Sequence, residues 1–541
     1  MGLRRPSSYA NPPARRRCAT DRAVRPARDR TPVLARALTG LVCALLAGAS
    51  PAQGSAVRAV REPLPVSDAR SGPAAPTPAA EPLARPDAQM TFLLDLSAGA
   101  GPAERTLPLA AFSERIARAA ISHPEALAAK ATVRATEQAT RETAAAGLPQ
   151  IDTRLDVAQR DTQQSLYLGI PARRYAQASA GLNLRQNVFD FGAISTATAA
   201  GRDREQAAAA YAQGRRHDLA LQAIQAWLDV CRVRMRLELA RLNVQALSDT
   251  VGFLQQRYEL GAGLLSDTWR ARSRLADARA GLATTQAALR SNEAAYAEIF
   301  REPPGALELP PLAPLDRRAV AADTPALVSA FPTVRSAEAA HKAAAGEADA
   351  NQRRTLPQVS LELNALRRGI NGQEPNSNEA PANDLSATLV LRYSFYTGGA
   401  NTARVEQLGY RAAEAGEQAR ATSLQVERAL AQAIADDEHS AAVLEARREE
   451  VVLAVESLRA VRELFANRRG SLLDVLSAQE GLNQAGIGLV DAQIDQIAAR
   501  WRALAFTPAF WPLAGVAPGS SDTAESDNGA LAPPPAQGTP Q

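Results

Sequence analysis

The stretch RYSFYTGGANTARVEQ, residues 392–407, and the similar stretch RQNVFDFGAISTATAA, residues 185–200, decide the fold. In both, alternating apolar residues lead through glycine into a long segment without proline. Alternation with a period of two is typical of a strand, and an Ala-rich, proline-free segment is typical of a helix. Each stretch therefore predicts a strand that turns directly into a helix. Glycine adopts backbone angles that other residues avoid, so Gly192, Gly398 and Gly399 are the predicted strand-to-helix joints.

The two stretches belong to an internal duplication. The tripeptide LPQ at 148–150 recurs at 356–358, and Pro149 and Pro357 mark the predicted helix-to-strand joints. Further pairs keep the same separation of 207 or 208 residues: Pro124 and Pro332, Arg185 and Arg392, Gly192 and Gly399, Gly263 and Gly470, Asp267 and Asp474. Gly263 and Gly470 lie in the predicted turns at the tips of helical hairpins.

The duplication predicts two structural repeats, 105–308 and 309–512, each with a helix, two strands, a very long helix and a return helix. The long helices are predicted over Ala193–Leu260 and Ala400–Asn467, where apolar residues recur at the three- and four-residue spacing of a coiled coil. Such helices would each be roughly 100 Å long. Taken alone, they fit a solvated coiled-coil rod.

Four segments with a period of two indicate more than a rod. They are predicted as strands over about 149–158, 178–190, 357–366 and 385–396. Each has one apolar and one polar face, which suits either a sheet packed on a core or a barrel wall between lipid and water. The rest of the chain offers little apolar surface to cover such a sheet, which favours the barrel. Tyr393 and Phe395 are then predicted to face lipid, with Tyr396 near the membrane interface.

Four strands are too few to close a membrane barrel, because the smallest have about eight. Open edges are not tolerated in lipid, since unpaired backbone groups find no water there. Copies of the chain must therefore share one barrel, with two copies giving eight strands and three giving twelve.

The two ends differ in composition from the repeats. Residues 1–52 read as a signal peptide, with an Arg-rich segment before a short apolar run. Residues 53–104 form a Pro/Ala-rich linker, and 513–541 a similar tail, and both are predicted to be disordered.

The basic excess of the chain lies in its leader. The first 36 residues hold ten Arg and two acidic residues, which leaves 51 basic and 55 acidic residues for the remainder. The body is therefore slightly acidic and gives no argument for a nucleic-acid partner.

No catalytic constellation is visible in the sequence. There is no phosphate-binding glycine loop, and the histidines are scattered without metal-ligand spacing. Cys231 is expected to be a buried helix residue. The carboxylates of 436–450 lie beside Arg and are expected on a solvated or inter-helix face. The prediction is a protein that is not an enzyme and that binds no cofactor or metal.

Taken together, these features resemble the TolC family of outer-membrane channel proteins. The resemblance runs from about Thr106 to Thr507. It rests on the duplicated LPQ strand starts, the strand exit FYTGGA, the tip RRGSLLDVLSAQEGL at 468–482, and their order and spacing.

The resemblance implies a mainly α-helical fold with a β-barrel part. Long coiled-coil helices would form an α-barrel tunnel across the periplasm. Four strands per chain would contribute to a trimeric, twelve-stranded transmembrane barrel in outer-membrane lipid. It also implies partners: a periplasmic adaptor protein and an inner-membrane transporter of the ABC or proton-driven class.

In the family, aspartates constrict the periplasmic tip of the tunnel. The matching residue is Asp474, with Asp267 as its counterpart in the first repeat. A second acid often follows three residues later in the family, but Ser477 stands there, so the resemblance implies one acidic ring in place of two. The alternative is that both aspartates are first-turn acids that stabilise helix starts after Gly263 and Gly470.

Three functions remain open at this point. The tip motif, the strand exit FYTGGAN and the lack of a lipid-acceptor Cys favour the exit duct of a type I protein secretion system. The outer-membrane component of a multidrug or metal efflux pump has the same fold. A periplasmic coiled-coil scaffold without a pore is the alternative from another class.

Overall fold

The computed structural model describes residues 87–98, 107–162, 173–371 and 382–513. The predictions for the signal peptide, for most of the Pro/Ala-rich linker and for the tail after residue 513 lie outside the described residues.

The first repeat follows a short leading helix. Its elements in chain order are α1 (Ala88–Ser97), α2 (Leu109–Ser122), α3 (Pro124–Ala145), β1 (Gln150–Thr162), β2 (Arg173–Phe189), α4 (Ala193–Glu259) and α5 (Leu265–Phe300).

The second repeat has the same order after two short helices. Its elements are α6 (Arg317–Ala322), α7 (Thr324–Ala330), α8 (Pro332–Arg354), β3 (Gln358–Asn371), β4 (Ala382–Arg392), α9 (Ala400–Ala466) and α10 (Leu472–Leu504). A 3-10 turn, Pro508–Phe510, follows. The predicted helix, two strands, long helix and return helix are therefore present in both halves.

The four strands form one antiparallel sheet in the order β1-β2-β3-β4. Residues that stand opposite each other across the strands share a face. One apolar row, for example, runs through Ile151, Leu184, Leu363 and Ala387. The predicted alternation is thus in register up to a bulge in β2 between Asn187 and Phe189, where Phe189 and not the predicted Val188 stands opposite Val359.

The described residues of the chain do not cover the apolar face of this sheet. Val157 on β1 is 85% exposed and Leu385 on β4 is 84% exposed. Strands β1 and β4 are the two edges of the sheet. A sheet with an uncovered apolar face and two edge strands argues against the alternative of a sheet packed on a core of the same chain.

The fourth strand is shorter than predicted. The expectation that Tyr393 and Phe395 belong to it is wrong, because β4 ends at Arg392. Arg392 is the partner of Gln358, the first residue of β3. Pro357 precedes it, and proline has no N–H to extend the ladder. Tyr393 instead packs edge-on against Phe395 beyond the strand.

The helices next to the sheet follow the order of the strands. Helix α3 packs on α4, α4 on α8, and α8 on α9. Further along, α4 pairs with α5 and α9 with α10 as two hairpins, and α10 also packs on α4. The helices next to the sheet therefore form one layer that continues the sheet, in the order α3-α4-α8-α9. Helices α3 and α9 are the two outer members of this layer.

The largest side chains are buried where α2 meets the middle of α4 and the end of α10. Trp227 of α4 and Trp501 of α10 both pack on Phe112 of α2, with ring centroids 5.4 Å apart in each pair. The Trp227 indole N–H donates to the carbonyl of Glu308 at 2.9 Å. This aromatic cluster connects α2 and the segment between the repeats to α4 and α10.

Part of the predicted disordered linker is helical. The prediction of disorder over 53–104 is wrong for α1, which packs on α4 and α9. Its side chains Met90, Leu93 and Leu96 are buried. Burial of three large apolar side chains offsets the entropy cost of ordering a short segment.

Across the described part of the chain, no helix combines the length and the apolar character that a membrane-spanning helix needs.

Candidate functional site: helical tips and strand-to-helix joints

Both helical hairpins end in the same turn. Equivalent backbone hydrogen bonds of 2.9 Å close the two turns: Ala262 N to Arg257 O, and Arg469 N to Leu464 O. This is the Schellman pattern, which places one residue in the left-handed conformation. That residue is Gly261 in the first hairpin, with φ 69°, and Arg468 in the second, with φ 57°.

The predicted tip glycines, Gly263 and Gly470, lie two residues beyond the left-handed positions. They provide space. A Cβ on Gly470 would lie 3.1 Å from the backbone nitrogen of Phe465, and one on Gly263 would lie 3.2 Å from that of Tyr258. The chain therefore passes close to the end of the preceding helix in both turns.

Asp474 lies in the first turn of α10 and is exposed. Its backbone N–H donates to Ser471 Oγ at 3.2 Å, and its carboxylate accepts from the Ser471 N–H at 3.3 Å. This reciprocal pair is a capping box, which satisfies two backbone donors at the helix start. The side chain thus has a structural role within one chain, and its exposure leaves it open to a pore as well.

Asp267 occupies the corresponding place in α5 without that arrangement. Its N–H donates to the backbone carbonyl of Leu264 at 3.1 Å, since Leu264 offers no side-chain acceptor. A carboxylate in the first turn is favourable to the helix dipole. The two aspartates are therefore equivalent in position but not in hydrogen bonding.

The surfaces of the two tips differ in chemistry. The first carries four exposed apolar side chains: Leu260, Leu264, Leu265 and Trp269. The Arg272 guanidinium lies 5.3 Å from the Trp269 ring. The second tip exposes Arg468 and Arg469 beside Leu464 and Leu473, so it is the more basic of the two. Such surfaces suit contacts with other proteins better than catalysis.

The strand-to-helix joints use the predicted glycines in left-handed conformations. Gly192 caps α4 with φ 79°, and Gly399 caps α9 with φ 84°. The residue before each is also left-handed: Phe191 with φ 53° and Gly398 with φ 65°. Two successive left-handed residues turn the chain sharply from strand to helix.

The predicted helix-to-strand joints, Pro149 and Pro357, immediately precede β1 and β3. In the first repeat the joint is held by β2. The Gln186 side chain donates to the Gly147 carbonyl at 2.7 Å, and the Asn187 side chain donates to the Ala146 carbonyl at 2.9 Å. These bonds satisfy carbonyls at the end of α3 that have no partner within the helix.

Sequence reasoning missed a buried ion cluster in the second repeat. Asp437 is 0% exposed, so of the two kinds of face expected for the carboxylates of 436–450 this residue lies on an inter-helix one. Its two carboxylate oxygens accept from Arg317 at 2.6 Å and from Arg500 at 2.7 Å. The cluster joins α6, α9 and α10. The corresponding residue of the first repeat is Val230, which could have marked the position as a core site.

Cys231 is buried on α4, as predicted. Burial raises the pKa of its thiol to about 12, against the smaller opposing effect of Arg234. The residue therefore stays a thiol at neutral pH, and a thiolate nucleophile is not available there. Among the described residues, no group of three His, Cys, Asp or Glu side chains could hold a metal ion.

A family model decides what this architecture is. The model described as "Outer membrane efflux protein" matches residues 116–299 and 327–506. The chain belongs to the outer membrane efflux protein family. The two matched blocks correspond to the two repeats, and α1 lies outside both.

Among curated relatives of this family member is the outer membrane efflux protein BepC of Brucella suis biovar 1 (strain 1330). The two are 24% identical over 335 residues, which is 62% of this chain and 73% of BepC.

Solved structures share the fold. The outer-membrane protein VceC of Vibrio cholerae has 19% identity and a TM-score of 0.64, over 73% of this chain and 96% of VceC. The CmeC outer-membrane channel of Campylobacter jejuni has 11% identity and a TM-score of 0.66, over 80% of this chain and 87% of CmeC. The predicted TolC-type fold and outer-membrane location are thus confirmed, and the protein is an outer-membrane efflux channel of that family.

Proposed function

We propose that the chain assembles as a homotrimer whose strands close one transmembrane barrel. The observation that carries this is the four-stranded sheet, with an uncovered apolar face and two edge strands per chain. Edges of this kind must pair in lipid. An eight-stranded barrel has an interior just wide enough to be filled by side chains. Three copies, giving twelve strands, leave room for a water-filled duct.

The long helices then extend this duct into the periplasm. Each of α4 and α9 has 67 residues, or roughly 100 Å of helix. The exposed apolar and basic groups of the tips support docking to a periplasmic adaptor, which would connect the duct to an energised inner-membrane transporter. Asp474 of each subunit would contribute to the proposed acidic ring at the tip, and Asp267 occupies the corresponding position of the first hairpin.

For the cargo, we favour a protein exported by type I secretion through an ABC transporter. The second tip, NRRGSLLDVLSAQ, and the strand exit FYTGGAN support this choice. The second candidate is efflux of drugs or metals, possible with the same duct and favoured by the name of BepC as an efflux protein.

The oligomer is tested by extraction and mass. We expect the mature protein in the detergent-extracted outer-membrane fraction, as a heat-modifiable species of three chains by light scattering. Recovery in the soluble periplasmic fraction would instead support a scaffold without a pore. A mass of two chains would rule out the twelve-stranded barrel.

The cargo is tested by deleting the gene and restoring it from a plasmid. Loss of one large exported protein, with unchanged tolerance to antibiotics and metals, supports type I secretion. Increased susceptibility with an unchanged set of exported proteins supports the efflux candidate. The plasmid copy must restore whichever property is lost, which controls for effects on neighbouring genes.

A further inference from the structure

The helix α1 occupies a groove formed by α4, α9 and α10. Leu93 is 0% exposed and fills the space above Gly486 of α10, where an added Cβ would lie 2.8 Å from a Leu93 methyl group. The same added Cβ would lie 3.0 Å from Leu239 of α4. One short helix therefore contacts both helical hairpins, because α4 belongs to the first and α10 to the second.

The start of α1 carries a polar connection into this groove. Asp87 uses one carboxylate oxygen to cap α1, accepting from the Met90 N–H at 2.9 Å. Its other oxygen accepts from Arg462 of α9 at 2.7 Å. The Arg462 side chain is only 6% exposed. A buried guanidinium needs a counter-ion, and Asp87 supplies it.

An amide network extends the connection to the other long helices. Arg462 donates to the side-chain oxygen of Gln479 on α10 at 2.8 Å. The Gln479 amide N–H₂ donates to Gln89 of α1 at 2.6 Å and lies 3.4 Å from Asn243 Oδ1 of α4. If α1 left, the charge of Arg462 and the amide of Gln479 would lose partners in a buried place.

The first repeat shows what these positions look like without such a cover. The counterparts of Arg462 and Gln479, 207 residues earlier, are Gln255 and Arg272. They also form a hydrogen bond, of 2.9 Å, but both side chains are exposed. Burial of the pair in the second repeat is therefore not a property of the hairpin alone. Both α1 and α4 cover the pair, through Asp87, Gln89 and Asn243.

We propose that Asp87 to Ser97 is an intrachain clasp that holds the second hairpin against α4 and must detach before the two hairpins separate at the periplasmic end. This regulatory role rests on the proposed duct. The clasp combines the apolar contact of Leu93, the ion pair of Asp87 with Arg462 and the hydrogen bond of Gln89 with Gln479.

The ion pair is tested with Asp87→Asn in purified, detergent-extracted protein in planar bilayers. We expect a severalfold rise in the fraction of time spent in the high-conductance state, because the bond to the buried guanidinium weakens. The matched control is Asp95→Asn, which removes the same charge from the exposed side of the same helix and should leave gating unchanged. Gating of Asp87→Asn equal to that of wild type would overturn the clasp.

Hydrogen–deuterium exchange of the wild-type trimer supplies a measurement that needs no variant. A clasp predicts that peptides covering 87–97 and 455–465 open together, with the same exchange rates. If 87–97 exchanges fully while 455–465 stays protected, α1 opens by itself and the proposal fails. Wild-type protein that conducts no ions would count against the proposed duct, whereas the exchange result would still decide whether α1 and α9 are coupled.

Discussion

The strand-to-helix joint of the first repeat is held by neighbouring groups, whereas that of the second is exposed. Asp190 accepts from the N–H groups of Gly192 and Ile194 at 3.0 and 2.7 Å. The corresponding residue of the second joint is Thr397, whose hydroxyl accepts one bond of 3.3 Å from Asn401. Both joints have two successive left-handed residues before the helix, although the strand stops earlier in the second repeat. The two joints therefore keep the same left-handed backbone angles, whereas their side chains differ with their surroundings.

The same contrast holds deeper in the molecule, between Val230 and Asp437. Both side chains are fully buried at equivalent positions, but one packs in an apolar cluster and the other neutralises two arginines. The first repeat relies on packing where the second relies on charge pairing.

The largest effect should come from Asp437→Ala. It leaves Arg317 and Arg500 without their carboxylate, and breaking a buried ion pair costs about 3–5 kcal/mol. The temperature at which the trimer dissociates in detergent should fall steeply. In the first repeat, Val230→Ala removes only two methyl groups and should cost about 1–2 kcal/mol.

Asp436→Asn is the control for this cluster. Asp436 lies one residue away and about half exposed, 3.9 Å from Arg502, so its loss should cost under about 1 kcal/mol. Equal effects of the Asp436 and Asp437 substitutions would show that burial of the cluster is not what matters.

The next largest effects are expected from substitutions at the two strand-to-helix joints, and the loss of trimer yield should differ between them. A β-branched residue at a left-handed position costs about 1–2 kcal/mol or more. Gly399→Val carries that strain alone, because an added Cβ has open space around it. Gly192→Val adds contacts at 3.3 Å to Ser195 Oγ and 3.4 Å to Arg353. Trimer yield should therefore fall with Gly399→Val and fall further with Gly192→Val.

If Gly399→Val assembled as well as wild type, the requirement for glycine at the second joint would be refuted. If both valine variants lost the same yield, the neighbours of Gly192 would be shown to give way.

Substitutions of the two tip aspartates test whether position or hydrogen bonding determines their effect on cation block. Asp474→Asn keeps a side-chain acceptor for the capping box but removes the charge, so the fold should persist. If Asp474 forms the constriction, divalent cations should block the Asn variant several times less strongly in planar bilayers. Asp267→Asn, the matched change in the first hairpin, should show how far its charge contributes. Unchanged cation block in both variants would discard the acidic ring.

The smallest expected effect is a gain in stability. Arg468 is left-handed where the first tip has Gly261, so Arg468→Gly removes backbone strain. Part of the gain is lost to the greater freedom of glycine in the unfolded chain, which leaves about 0.5–1 kcal/mol of stabilisation. Gly261→Arg should be destabilising by a similar amount. A loss of thermal stability in Arg468→Gly would mean that the Arg side chain contributes contacts that outweigh its strain.

The long helices were predictable to within one residue at their ends. Glycines at the joints and the absence of proline determine where they begin and how far they run. The strand positions followed from alternation. The end of β4 did not, because Tyr393 and Phe395 continue the alternating pattern after the partner strand has stopped at Gln358.

Two features could not be read from local sequence. The apolar residues of α1 occupy only ten positions after a Pro/Ala-rich segment, and their partners lie more than 130 residues away in the chain. Asp437 stands among charged residues, and its burial depends on Arg317, 120 residues earlier. Long-range contacts of this kind leave no periodic signal.

The unbroken length of α4 and α9 makes the joints mechanically sensitive. A rigid rod of roughly 100 Å that pivots by about 5° at one end moves its other end by about 9 Å. Small changes of backbone angle at Gly192 or Gly399 are therefore magnified at the periplasmic tip. The pivot of each rod is its outer-membrane end. We therefore expect movement of the lipid-embedded strands and movement of the distant tip to be coupled.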